Sequence, residues 1–87
     1  MCYYVYILQS ELDGSYYIGC TAHPELRLAQ HNRGEAVYTS RKMPWRIVYL
    51  EEHQTKTEAL KRERFLKKQK NKAFYQRLVD LYNNRNA

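Results

Sequence analysis

Long apolar runs are missing from this 87-residue sequence, and none approaches the ~20 residues that a membrane-spanning helix requires. The opening stretch "CYYVYIL" likewise has neither the basic flank nor the small-residue cleavage site of a secretory signal, so a cytoplasmic protein is expected. Cysteine is scarce. Cys2 and Cys20 are too few for a disulfide scaffold and fall in strand-like runs, which favours two reduced, buried thiols. A zinc site drawn from Cys20, His23 and His31 finds little support, because their spacing matches no strong zinc-binding pattern. With three glycines, two prolines, no repeat and no low-complexity tail, the chain reads as one small domain over residues 1–87. Acidic side chains are also in short supply: nine Asp and Glu face fifteen Lys and Arg, a formal charge of +6 with a pI near 9.4. That balance favours a polyanionic partner, nucleic acid before a membrane surface. No feature calls for an obligate protein partner.

What is present changes its apolar period along the chain. "YYVYIL" (Tyr3 to Leu8) and "SYYIGC" are rich in aromatic and β-branched residues and flank the turn signal Asp13-Gly14, which predicts a hairpin. A helix should follow, with Pro24 at its first position, Glu25 complementing its dipole and Gly34 stopping it. "GEAVYTSRKMP" reads as a polar loop and "WRIVYLEE" (Trp45 to Glu52) as a third strand. Thr55 and Glu58 have capping-box spacing for a helix running to about Gln69. Asn71 restarts the helical pattern, in which Phe74, Leu78 and Leu81 fall on one buried face. The order ββαβαα implies an α+β fold, a three-stranded antiparallel sheet flanked by helices.

The second helix holds the main anomaly. At about 100° per residue Ala59, Leu60 and Leu66 define its apolar arc, and Glu63 falls among them rather than on the wet side. Two readings stay open: a half-buried ion pair with an arginine from elsewhere, or a ligand for a hard cation, since Mg²⁺ accepts one or two carboxylates with waters. Around Glu63 lie Lys61, Arg62, Arg64, Lys67, Lys68, Lys70 and Lys72; such runs are commonly solvated helix faces, but the imbalance of sign in this one favours phosphate contact. In the hairpin, Tyr6 and Tyr17 can each point to a common side of the sheet, and Gly19 leaves that side open for a backbone or ligand. Arg27 and His31, four apart, share one surface of the first helix. His23 at a helix start and His53 at a strand end read as cap or loop residues. "YTSRKMPW" (Tyr38 to Trp45) mixes aromatics, hydroxyls and cations as a strand-contacting or stacking element does, or as a lid or plain surface does.

In order, "YVY" at Tyr4 to Tyr6, "YIG" at Tyr17 to Gly19, "RLAQH" at Arg27 to His31 and "EALKRE" ending at Glu63 resemble the GIY-YIG nuclease domain, in particular its short single-domain bacterial branch. The resemblance covers roughly the first 70 residues. It implies a three-stranded antiparallel sheet with helices around it, and hydrolysis of DNA phosphodiester bonds assisted by one divalent ion, Mg²⁺ or Mn²⁺. It also places the family's catalytic roles on Tyr6, Tyr17, Arg27, His31 and Glu63, with Glu63 as metal ligand. Tyr4 stands where the first motif has glycine, and Asn71 is a loose counterpart of an asparagine that many members carry. Chemistry agrees with these roles: Arg27 offers a planar fork to phosphate, and Tyr6 with His31 is favoured for water activation while Tyr17 orients water or phosphate. Lys61, Arg62, Arg64, Lys67 and Lys68 are the expected nucleic-acid contacts. Two functions follow: an endonuclease acting in DNA repair or turnover, or a nucleic-acid-binding module that keeps the nuclease fold with little turnover.

Overall fold

A computed structural model of the chain describes residues 3–85. Its elements run β1 (Tyr3–Ser10), β2 (Tyr16–Thr21), α1 (Pro24–Asn32), a short 3-10 turn (Thr39–Lys42), β3 (Trp45–His53), α2 (Lys56–Gln69) and α3 (Lys72–Arg85), which is the expected α+β order. The three strands form one antiparallel sheet in the order β2-β1-β3. Strand β1 is therefore central. Its Val5, Tyr6, Ile7 and Leu8 are all buried because both sides of the sheet are covered. Val5 and Ile7 pack with Ile18, Val48, Ala59, Leu66, Tyr75 and Val79 beneath α2 and α3. Tyr6 and Leu8 pack with Trp45, Tyr17, Leu28 and Met43 on the opposite face, where α1 lies. Period-two alternation thus assigns each strand residue to one of two thin cores.

Local signals set the helix ends. Pro24 opens α1, where its missing N–H is not needed, and Gly34 follows the helix with φ +77°. Thr55 caps α2 by accepting the Glu58 backbone N–H at 3.2 Å. Asn71 starts α3, its Oδ1 accepting from the backbone N–H groups of Ala73 (2.9 Å) and Phe74 (3.3 Å), so this side chain is occupied as a cap. No helix among the described residues is long and apolar enough to cross a membrane.

Three expectations need correction. Leu60 is 39% exposed and Leu81 61% exposed, because each helix meets the sheet about one position away from the arc read by pattern: Ala59 and Leu66 face inward on α2, Tyr75 and Val79 on α3. The segment after α1 is not simply a polar loop, since its 3-10 turn buries Thr39 completely. Tertiary bonds fix it there: Trp45 Nε1–H donates to the Thr39 carbonyl (2.8 Å), and Asn32 exchanges two bonds with the Trp45 backbone (2.7 and 2.9 Å). Cys20 is a free thiol but only partly buried, and Cys2 lies outside the described residues.

Candidate active site

Strand β2 is an edge strand, and its Gly19 stands opposite Tyr6 of β1. The space over Gly19 is not left open for a ligand. The Tyr6 ring fills it: a Cβ at position 19 would lie 2.3 Å from the Tyr6 hydroxyl oxygen and 2.4 Å from its Cζ. Only a residue without a side chain lets the ring lie across the neighbouring strand, and this carries the hydroxyl out over β2.

That hydroxyl meets His31, which α1 points into the interior. The His31 Nε2 is 3.1 Å from the Tyr6 oxygen, and its Nδ1 is 2.7 Å from Thr39 Oγ1. His31 and Thr39 are both fully buried. Thr39 has one hydroxyl proton, and it is within reach of the Ala36 carbonyl at 3.3 Å. We assign the tautomer from this chain of bonds: with the Thr39 proton on Ala36, Nδ1–H donates to Oγ1, and the bare Nε2 accepts from Tyr6. Burial first, and the positive Arg27 second, hold the His31 pKa below its ordinary value. Burial, reinforced by neighbouring Tyr17, pushes the Tyr6 phenol up to about 12, with Arg27 pulling the other way and the Glu63 charge adding to the rise. Neither residue is charged at neutral pH.

Three further groups complete the site. Arg27, half-buried on α1, donates from Nη1 to Gln30 Oε1 at 3.0 Å, so the side chain that holds the guanidinium is itself neutral. Tyr17 on β2 sets its ring edgewise to His31 (centroids 5.1 Å apart) and to Trp45 (6.2 Å). Glu63 comes from α2, on the other side of the sheet. Its side chain is 19% exposed, and one carboxylate oxygen is 3.3 Å from Nζ of Lys67, one turn along the same helix. Among the described residues its ion pair is with this lysine and not with a remote arginine. The Glu63 charge adds to the rise in both the Tyr6 and the Cys20 pKa, and α1 and α2 both pack against β2.

Tyr6, Tyr17, Arg27 and His31 are thus brought together, while Glu63 acts on Tyr6 through its charge and lines the groove of α2. Two residues that sequence reasoning missed, Thr39 and Gln30, hold His31 and Arg27 in place, and no local pattern marks either. Among the described residues no three His, Cys, Asp or Glu side chains gather as metal ligands, Cys20, His23 and His31 included. A single half-buried carboxylate lining a groove with Arg64, Lys67, Lys68 and Lys70 is compatible with Mg²⁺, which keeps several waters and takes one or two carboxylates plus phosphate oxygens.

The cations of α2 divide. Arg64, Lys67, Lys68 and Lys70 line a groove with Glu63, whereas Lys61 is exposed outside it. Arg62 turns away to Glu51 (2.9 Å) and lies over the Phe65 ring at 5.4 Å, so its charge is already used within the fold. His53 also bonds Glu51, at 2.8 Å, and His23 is an exposed N-cap position with no side-chain cap bond.

Fold and site together define the class: the chain belongs to the GIY-YIG catalytic domain family, which matches residues 2–78. The family is one of nucleases. Within it the similarity is to small bacterial proteins of the UPF0213 group. The chain is 43% identical over 68 residues to a UPF0213 protein of Streptococcus pneumoniae serotype 4, covering 77% of this chain and 68% of that one. A UPF0213 protein of Staphylococcus aureus strain Mu3 is 45% identical over 62 residues, 70% of this chain and 74% of the relative. The solution NMR structure of a Bacillus halodurans UPF0213 protein superposes with a TM-score of 0.56 at 35% identity, over 93% of this chain and 85% of that chain.

Proposed function

We propose that the protein is an endonuclease that hydrolyses DNA phosphodiester bonds with one divalent ion, Mg²⁺ or Mn²⁺, in cytoplasmic DNA repair or turnover. The observation that carries this reading is the chain Tyr6–His31–Thr39, closed at one end by Ala36 and open at the other beside Arg27 and Glu63. A phenol pushed up to about 12 is not an anion at neutral pH. Its oxygen can take a proton from the attacking water only as its own proton passes to His31 Nε2. His31 is prepared for that transfer: burial keeps it neutral, and Thr39 holds the proton on the other nitrogen. The relay is reset in the reverse direction, Tyr6 giving its proton to the departing 3′ oxygen as His31 Nε2 returns one to the Tyr6 oxygen, and the lowered His31 pKa favours that return.

Arg27 would present its fork of donors to the non-bridging phosphate oxygens, and Tyr17 would orient the water or the phosphate at the rim. Glu63 is the residue to hold the ion, which when bound neutralises charge on the phosphate and on the departing 3′ oxygen. A nicking assay on supercoiled plasmid, with Mg²⁺ or Mn²⁺ and a chelator control, tests the reading. Arg27→Lys keeps the charge but loses the fork, so turnover should fall about 10²–10³-fold while DNA binding stays nearly intact. Equal losses in binding and turnover would make Arg27 a docking residue only. DNA binding by the unaltered protein without any cleavage would instead indicate a binding module that keeps the nuclease fold.

A further inference from the structure

We propose that the groove leading away from the site between Tyr38 and Lys67 receives an unpaired nucleotide, its base stacked on Tyr38 and its flanking phosphates on Lys67 and Lys70. The proposal rests on the nuclease reading for its substrate class, and takes that class to be nucleic acid with a single-stranded stretch at the cleaved position.

The geometry is a ladder of rings that begins inside the site and ends in solvent. Buried His31 meets Tyr17 at 5.1 Å, and Tyr17 meets Tyr38 at 5.9 Å with the two planes only 34° apart. The last rung is 67% exposed, and its neighbour Val37 is 83% exposed. A large aromatic left that open beside a reaction centre has one face without a partner, and any base can supply one because every base has a π-face. Paired bases cannot: both faces are already stacked inside a duplex. The opposite wall of the same groove carries Lys67 and Lys70. Lys67 also borders Glu63, so the groove is continuous with the site.

Lys70 adds a second, independent mark. It ends α2 in the left-handed region (φ 44°), a position that glycine usually fills because a Cβ is strained there. Tyr75 holds it, its hydroxyl accepting the Lys70 N–H at 3.2 Å while donating to the Leu66 carbonyl at 2.6 Å. A strained backbone that carries a cation into an aromatic groove fits a polyanion with exposed bases. It fits a nucleic acid better than an acidic peptide, whose Asp and Glu side chains carry no ring, because every nucleotide couples a phosphate to a stackable base; an apolar peptide would leave Lys67 and Lys70 desolvated.

The test is equilibrium binding in chelator, so that no cleavage is needed. Single-stranded dT 12-mers and blunt duplexes of the same length are titrated by fluorescence anisotropy, with a 2-aminopurine-labelled single strand to report stacking. Tyr38→Ala should weaken single-strand binding by about ten-fold and remove the 2-aminopurine quench, while Tyr38→Phe keeps both. Lys70→Gly should lower the slope of log K against log[salt] by about one. A U-rich RNA of equal length shows whether the sugar matters, and a Tyr38-dependent loss on either strand supports the platform. Equal loss on duplex and single strand, or no loss with Tyr38→Ala, overturns the proposal. So does a concentration-dependent dimer, seen by sedimentation, that Tyr38→Ala dissociates, since the patch would then belong to a second copy. If the unaltered protein fails to cleave yet shows Tyr38-dependent stacking, the nuclease reading falls and the platform stands. If cleavage is intact and stacking absent, only the platform falls.

Discussion

Two clusters in this protein are made from almost the same side chains and end in opposite states. On the α2 side of the sheet, Tyr49, His53 and Arg62 all converge on Glu51. At the β2 edge, Tyr6, His31 and Arg27 converge on no carboxylate of comparable closeness among the described residues. Burial pushes the Tyr49 phenol up to about 12, with the Glu51 hydrogen bond adding to it, and Tyr6 is pushed up to about 12 by burial and Tyr17. A raised tyrosine therefore does not distinguish them. What differs is whether the charges are matched. Burial works against the Glu51 carboxylate, but Tyr49, His53 and Arg62 together outweigh it and hold its pKa below the ordinary value. Arg27 has the neutral Gln30 as its hydrogen-bond acceptor, and Glu63 has a lysine that is half in water. A closed set of charges is architecture; a set left open at a groove is chemistry awaiting an anion.

The sharpest way to break the comparison is to remove one hydroxyl from each side. Tyr6→Phe should reduce turnover about 10²–10⁴-fold, the range for losing a positioned proton-transfer group, with far-UV circular dichroism unchanged. Retained turnover would assign water activation elsewhere. Next in size, Glu51→Ala strands Arg62, Tyr49 and His53 without their common acceptor and should cost about 1–3 kcal/mol in urea unfolding while leaving the rate per folded molecule alone. A mutant as stable as the parent would mean that the Glu51 set is no lock.

Acid should separate the clusters by pH. The unfolded chain protonates a histidine near pH ~6.5, whereas buried His31 resists the proton to lower pH. Its contribution is fully present above that value and falls as pH drops below it, because the unfolded state then binds more protons. Glu51, with its pKa lowered, contributes above the ordinary carboxylate value of 4.5 and loses that contribution as pH falls below it. Urea midpoints followed downward from pH 7.5 should decline in two stages. A flat profile between pH 6.5 and 5 would contradict a neutral, buried His31. The smallest effect is expected at Glu63, a half-buried carboxylate with a weak partner. Glu63→Ala in chelator should leave stability unchanged or raise it by about 0–1 kcal/mol, while the same variant assayed with Mg²⁺ should lose cleavage. A loss of several kcal/mol would make Glu63 a structural ion-pair member.

The sequence was most legible where local chemistry decides the outcome. The hairpin turn at Asp13-Gly14, Pro24 opening α1, the Thr55 cap and the restart at Asn71 all follow from short-range rules and appear where those rules put them. That Tyr6, Tyr17, Arg27 and His31 lie close together was readable from ordered motifs. Less legible was whatever the third dimension decides. Leu60 and Leu81 sit on apolar stripes that the helices rotate slightly out of the core, a matter of packing angle and not of period. Thr39 lies in a stretch with no apolar pattern and is buried because Trp45 and Asn32 pull the segment inward. Arg62 looks like its basic neighbours until β3 brings Glu51 beside it.

The ring of Tyr6 lying across Gly19 has a practical side. Position 19 is tuned by a single missing methyl, and its backbone is not in the left-handed region, so alanine there meets no conformational barrier of its own. The added carbon would instead evict the Tyr6 hydroxyl from its place next to His31. Gly19→Ala is thus expected to stop turnover by a steric route with no change of charge, removing none of Arg27, Glu63 and the lysines of the groove. Such a variant is the natural bait for trapping an uncut substrate, because nothing that attracts the nucleic acid has been taken away.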